Sequence, residues 1–532
     1  MNTTINQRVG SRDSPPISSS SVSRAGLAIL IFDSIWLFAM LTWALLDPDA
    51  ILAAIGAAAA WMTALPLVLP RYSFLSPWSL LALTVHFGGA ARGFYISLNP
   101  TFASRDIDQL FLLGHQSSYF VGPGLWYLAG IGLTALVYVL FSERWGAKIR
   151  PPFSRLVFAN SIILPTVVFA AIGFLALLAY VQVSGGFSLE QISAKRSVIS
   201  GLEVGDDYQS HGVLRFLNSF GQVALWGYLG KTVYDNPRFS YISVRGIFIA
   251  FLFVNAAALP FYSSSRSEVA FILIVAVAID AGVRHHGPSR FAILFGALVT
   301  VGALVFMTNV RGTKDWLQNA QLDLIEGLEG LVVLNRNFGD FFTFTHVTRA
   351  VPGLLDWAMG STIYGHLLAP IPRAIWPDKP LVSIGPQIGI NVYGNERSGV
   401  PPGWYAEWYW NFGLLGFVLG AVLFGVALKI LANMVRSDLW ANPLFVVFYC
   451  VVLFRFGYFA IGGGIGSSVF KMVTEAVCLG CFFLVCTIVP DGEKGLKVSA
   501  RPIRAVGALG RIPVWHQSGS KGNFGRLRQR GV

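Results

Sequence analysis

The chain has 532 residues, of which 54% are hydrophobic and only 12% are charged, with a net charge of +12. Soluble globular domains carry about 25% charged residues, so this balance excludes that class and points to a polytopic membrane protein. The positive charge lies mainly in segments flanking the apolar runs, where it reads as membrane topology rather than as a nucleic-acid surface.

Residues 1–24 are Ser-rich and read as a disordered cytoplasmic N-terminus. Apolar runs of about 17–25 residues then mark membrane-crossing helices. They lie near 25–46, 50–69, 76–98, 119–141, 156–183, 213–234, 246–261, 268–283 and 291–308, and after a long interruption near 404–427, 441–461 and 467–489. The expected fold is therefore all-α and polytopic, with about 12 transmembrane helices. Residues 25–308 hold spans 1–9, 309–403 form one large, partly helical periplasmic loop, 404–489 hold spans 10–12, and 490–532 form a basic cytoplasmic tail. Runs 7 and 8 are short and parted only by Tyr262-Ser-Ser-Ser-Arg-Ser-Glu268, so their limits are the least defined. Nothing resembling a signal-peptide cleavage site follows the first run, which reads as an uncleaved anchor.

Lys and Arg cluster on one side of this arrangement, as at Arg144, Lys148, Arg150 and Arg155. Cytoplasmic loops collect such residues, which places both termini in the cytoplasm and the long loop outside. The tail, with Arg501, Arg504, Arg511, Arg526, Arg528 and Arg530, suits anionic lipid headgroups. The four cysteines all fall in the last two runs, where Cys478 and Cys481 read as packing residues rather than as a redox or zinc pair.

The interruption carries the polar chemistry. Asp315–Leu334 and 353–368 read as helical pieces, the second stopped by Pro370 and Pro372. A Pro-punctuated extended stretch follows to about Pro402. Its aromatic residues argue for a folded loop on the membrane surface, with Trp404–Trp410 as part of an interfacial belt. Arginine matches phosphate oxygens with a planar fork of donors, which makes Arg266, Arg311 and Arg373 candidate anion ligands. Arg266 stands among serines where a helix begins, a favourable setting for a phosphate, although it equally suits an interfacial cation paired with Glu268. His346 and Arg349, three residues apart, would share a helix face. His366 and Glu407 are candidate proton-transfer groups, Glu407 through partial burial among aromatics. Arg92, Arg215 and Arg455 fall inside apolar runs, where ionisable groups are functional by default. Asp47-Pro-Asp49 reads as turn chemistry, and Asp106-Ile-Asp108 lies in a loop; neither is assigned a metal. No phosphate-binding loop, zinc spacing or serine-nucleophile elbow is present, and no cofactor is expected.

Three motifs carry a family likeness: Tyr262-Ser-Ser-Ser-Arg-Ser-Glu268, Ile371-Pro-Arg-Ala-Ile-Trp-Pro-Asp-Lys-Pro380, and Ala406-Glu-Trp-Tyr-Trp-Asn-Phe-Gly-Leu-Leu-Gly416. With the late outer loop, they resemble the Wzy-type oligosaccharide repeat-unit polymerases (O-antigen polymerases) of bacterial inner membranes. The resemblance implies a glycosyltransferase that joins undecaprenyl-diphosphate-linked oligosaccharides on the periplasmic face, without metal or cofactor, for O-antigen, capsule or exopolysaccharide. It implies partners among membrane lipids and a chain-length regulator protein, and none among nucleic acids. In that reading Arg266, Arg311 and Arg373 serve the diphosphate, His366 or Glu407 is the base, and His346, Arg349 and Arg215 are secondary candidates. Two alternatives remain: an O-antigen ligase, which shares this architecture, and a flippase or other secondary transporter, which twelve spans would suit. Against the latter, no matched pair of interrupted spans is visible in the two halves.

Overall fold

The computed structural model describes residues 23–69, 72–98, 118–142, 156–183, 212–263, 265–284, 341–368, 384–393, 400–435 and 438–488, with isolated positions between them. These belong to one compact unit ending at Ile488; the second unit, Val489–Val532, lies outside the described residues. The described part is helical apart from a two-residue antiparallel pairing in which Val157 faces Ile488 and Phe158 faces Thr487. Helix is the expected answer in lipid, because each backbone N–H finds its acceptor within the segment.

In chain order the helices are α1 (Arg24–Leu46), α2 (Pro48–Val68), α3 (77–98), α4 (Ser118–Leu140), α5 (Ile163–Val183), α6 (Gly212–Asp235), α7 (Val244–Tyr262) and α8 (Arg266–Arg284). After the interruption's own helix α9 (Phe341–Ala350) and helix α10 (Gly385–Tyr393) come α11 (Trp404–Met434), α12 (Pro443–Gly463) and α13 (Ile465–Cys486). Among the described residues, eight are long and apolar enough to cross a membrane: α1, α2, α4, α5, α7, α11, α12 and α13. Helices α3, α6 and α8 coincide with the apolar runs at 76–98, 213–234 and 268–283. The run at 291–308 lies outside the described residues.

Two apolar clusters organise the bundle. One joins α2, α4, α9 and α11; the other joins α5, α6, α7, α8 and α13. Helices α3 and α12 contribute to both and stitch them together. At their contact a Cβ on Gly457 would stand 2.0 Å from the Pro77 carbonyl oxygen, so only glycine fits. Close approach recurs at the Ala-rich α2, where a Cβ on Gly56 would meet the Gly89 carbonyl oxygen at 2.2 Å. Small residues draw helices together where lipid supplies no hydrophobic drive between them. Helix α12 is the central element and α1 the peripheral one: 83% against 11% of their apolar windows are buried. Both α3 and α12 contain a π-helical stretch, His86–Ala91 and Tyr449–Leu453.

The structure departs from the sequence reading in several places. The fifth span begins at Ile163, because the preceding residues form the short strand. Within the interruption, residues 353–360 are turns and coil; helix resumes only at Ser361–Tyr364 and Gly365–Leu368. The stretch read as extended contains α10. The expected helix at Asp315–Leu334 lies outside the described residues. The largest departure is in α11, which breaks at Phe412 and Gly413 (φ 62, ψ −148). Trp404 Nε1 donates to the Gly420 carbonyl at 2.8 Å. In an unbroken helix these residues would be about 24 Å apart along the axis. The segment 404–411 therefore folds back along the span that starts at Leu414, with Trp408 laid over Gly416 and Gly420. Trp404 and Trp410 are buried by this fold-back rather than forming an interfacial belt.

Candidate functional site

The fold-back carries Glu407 into the interior. Its side chain is fully buried, not partly exposed at a span mouth as its sequence position suggested. Thr362 Oγ1 donates to Glu407 Oε1 at 2.9 Å, and the Ile465 N–H donates to Oε2 at 2.6 Å. The Gly466 N–H also bonds this carboxyl group. The carboxyl thus caps the first turn of α13, where free N–H groups and the helix dipole favour it. Gly464 (φ +106) makes the turn, and a Cβ there would stand 2.3 Å from Oε2.

Asn411, one helical turn beyond Glu407, completes the arrangement. Its Nδ2 donates to Thr362 Oγ1 and to the Glu407 carbonyl, both at 2.7 Å, while its Oδ1 accepts from the Gly360 N–H at 2.7 Å. Both oxygens of Thr362 are thereby engaged. Its hydroxyl accepts from Asn411 and donates to Glu407, and its carbonyl contacts His366 Nδ1 at 2.8 Å.

That last contact sets the state of His366. A carbonyl oxygen only accepts, so Nδ1 carries the hydrogen and Nε2 presents a lone pair. Nε2 has no hydrogen-bond partner among the described residues. Burial pushes the imidazole below its usual value, against an opposing effect of the Thr362 carbonyl, so the ring is neutral at pH 7. The ring lies over Gly466, where a Cβ would stand 2.1 Å from Nδ1. His366 and Glu407, proposed separately from the sequence, are thus brought onto one turn of α13 with Thr362 between them.

The candidate arginines divide. Arg311 and Arg373 lie outside the described residues. Arg266 is the first residue of α8; its side chain also lies outside them. The start of α8 is nevertheless tied to α13: Lys471 Nζ meets Glu268 Oε1 at 3.1 Å. Lys471 is five residues beyond Gly466, about 7.5 Å along the helix. Arg215 donates to the Tyr180 hydroxyl at 3.1 Å and acts electrostatically on Glu268 from α6. Arg455 pairs with the buried Glu475 and lies over the rings of Phe271 and Phe459. Arg92 lies 5.2 Å from the centre of the Phe342 ring.

His346 and Arg349 share α9 but diverge in role. His346 is buried between the rings of Tyr119 and Phe120. Arg349 is exposed, 4.5 Å over the Tyr119 ring, and donates to the Tyr119 carbonyl at 3.0 Å. It borders a pocket of about 380 Å³ lined also by Trp126, Phe344, Tyr409 and Phe417. Neither His366 nor Glu407 lines that pocket, whose walls are mainly apolar. Asp47 accepts from the Asp49 N–H, as a turn-forming residue does. Asp106 and Asp108 lie outside the described residues.

Sequence reasoning passed over Thr362 and Asn411. Each stands four residues from a candidate that was named, Thr362 from His366 and Asn411 from Glu407, and this helical spacing is the signal that marks them. Comparison of the chain with protein-family models, curated proteins and solved structures returns no match.

Proposed function

We propose that the protein is a membrane glycosyltransferase that polymerises undecaprenyl-diphosphate-linked oligosaccharide repeat units on the periplasmic face of a bacterial inner membrane. The observation that carries this reading is His366. Its ring is oriented by the Thr362 carbonyl, neutral at pH 7, and offers Nε2 as a base. Glu407, Thr362 and Asn411 act as positioning residues that hold the turn bearing His366. In this reading the acceptor sugar's hydroxyl oxygen attacks the anomeric carbon of the growing chain and its proton passes to Nε2. The bond to the diphosphate breaks, and undecaprenyl diphosphate leaves. Arg266, Arg311 and Arg373 neutralise the departing charge, and Arg215, His346 and Arg349 are secondary candidates. The donor's diphosphate bond already carries the driving force, in keeping with a sequence without nucleotide motifs. The twelve-span topology, with both termini in the cytoplasm and 309–403 outside, belongs to the same proposal, as does a chain-length regulator as partner.

Deletion of the gene tests the reading through the surface polysaccharide. Single repeat units left on their carrier or core support polymerisation. A complete lipid-linked polymer that fails to reach its final acceptor indicates a ligase. Repeat units confined to the cytoplasmic leaflet indicate a flippase. Arg266→Ala and Arg373→Ala are expected to abolish polymerisation while leaving membrane insertion intact; normal ladders in both would remove them from the site.

A further inference from the structure

A second polar pair joins α1 to α3 and is not among the residues of the proposed site. Asp33 is buried at 2% exposure on α1, a helix that otherwise turns most of its surface outward. Its Oδ2 is 3.0 Å from Nε2 of His86, the first residue of the π-helical stretch in α3. Asp33 is nine residues into α1, about 14 Å along the axis, and so near the middle of a hydrocarbon core about 30 Å thick. π-helical turns inside α-helices frequently mark functional positions.

The hydrogen bonds dictate how many protons the pair holds. His86 Nδ1 is 2.7 Å from the Ala82 carbonyl oxygen, an acceptor only, so Nδ1 carries a hydrogen. If the imidazole is neutral, Nε2 then presents a lone pair to Asp33, and an ionised carboxylate presents another. Two acceptors at 3.0 Å repel. The contact is bonding only with one further proton, either on Nε2 as imidazolium or on Asp33 as the acid. The reverse tautomer would set a bare Nδ1 against the Ala82 carbonyl and leave net negative charge in the membrane interior.

Other charges among the described residues of the surrounding helices are few. Helix α1 adds only Arg24 at its start, α2 only Asp49 at its start, and α3 only Arg92, two turns on and over the Phe342 ring. Asp33 is the charged group that acts on His86. The histidine side chain is 28% exposed against 3% for the aspartate, so the ring is the more accessible partner of the pair.

We propose that Asp33 and His86 form an intramembrane proton-binding site, and that the bound proton fastens α1 to the π-helical stretch of α3. Loss of the proton leaves a buried carboxylate facing a lone pair at a charged contact of α1, whose other packing includes the apolar cluster of Met40, Trp36 and Trp43 against α2 and Phe94. Its remaining ties include the Trp61 Nε1 bond to Ser34 Oγ at 3.1 Å and the contact of Gly26 with Leu67.

The test uses the full chain in lipid nanodiscs. Nitrogen and carbon NMR of labelled His and Asp should show, at neutral pH, either a doubly protonated His86 ring or a protonated Asp33 carboxyl, lost as one proton at alkaline pH. A neutral ring beside an ionised Asp33 at neutral pH overturns the proposal. Docking of α1 is read by disulfide trapping between Ser34→Cys and Trp61→Cys, with the native cysteines replaced. Trapping should fall severalfold above the pH at which the proton leaves. In Asp33→Asn the amide donates to Nε2 without any added proton, so that loss should vanish. Equal pH dependence in the two proteins, which share the thiols' own titration, contradicts the proposal.

Discussion

Glu407 and Glu475 are both buried carboxylates near α13, yet they are satisfied in opposite ways. Glu475 faces Arg455, with Lys471 4.0 Å away. Glu407 meets only neutral donors, the Thr362 hydroxyl and the N–H groups that open α13. A carboxylate locked to a guanidinium in lipid joins two helices. A carboxyl held by backbone N–H groups and one hydroxyl instead fixes the geometry of a turn, and through Thr362 it fixes the histidine on that turn. The first arrangement is expected to govern stability and the second to govern the rate.

The comparison is broken most sharply at its two centres. His366→Ala removes the proposed base and should lower the polymerisation rate about a hundredfold or more, the range of general-base contributions, with a smaller effect on unfolding than the loss of Arg455. Arg455→Ala should do the reverse, costing about 3–5 kcal/mol because Glu475 is left buried without its partner. The double replacement Arg455→Met with Glu475→Met should recover most of that loss; thermal unfolding in detergent measures both.

Smaller effects sharpen the distinction. Thr362→Val strands the Glu407 and Asn411 partners and should cost about 1–3 kcal/mol, the usual penalty for unpaired buried polar groups. It should also lower kcat with a smaller effect on KM, and Thr362→Ser should restore both, since the hydroxyl holds in place the turn whose carbonyl orients the ring.

The pH dependence follows from the lowered value of His366. The unfolded chain takes up this proton first, near the ordinary histidine value of about 6.5. The contribution to stability is therefore complete above that pH, declines as pH falls towards the folded value, and levels off below it. Activity should hold through neutrality and fall on the acid side at that folded value. A rate profile and unfolding scans over the same buffers check the two together.

Much of the fold was legible because lipid imposes it: apolar runs of spanning length become helices wherever the backbone must satisfy itself. The α11 fold-back was not. Residues 404–427 read as one continuous run, and only Gly413 marks the break, a signal no different from the glycines inside other spans. His366 and Glu407 were visible as residue types suited to proton transfer. Their meeting was not, because it depends on that fold-back and on Thr362, 45 positions from Glu407. Asp33, His86 and Glu475 had a plain signal, ionisable groups inside apolar runs, which was applied to Arg92, Arg215 and Arg455 but not to them.

His366 as the base of a repeat-unit polymerase is the proposal at stake. Purified protein in nanodiscs, supplied with undecaprenyl-diphosphate-linked repeat units, tests it in a single gel. The native chain should give a ladder of polymer, and folded His366→Ala should leave the repeat units unextended. Equal ladders from both proteins would contradict it.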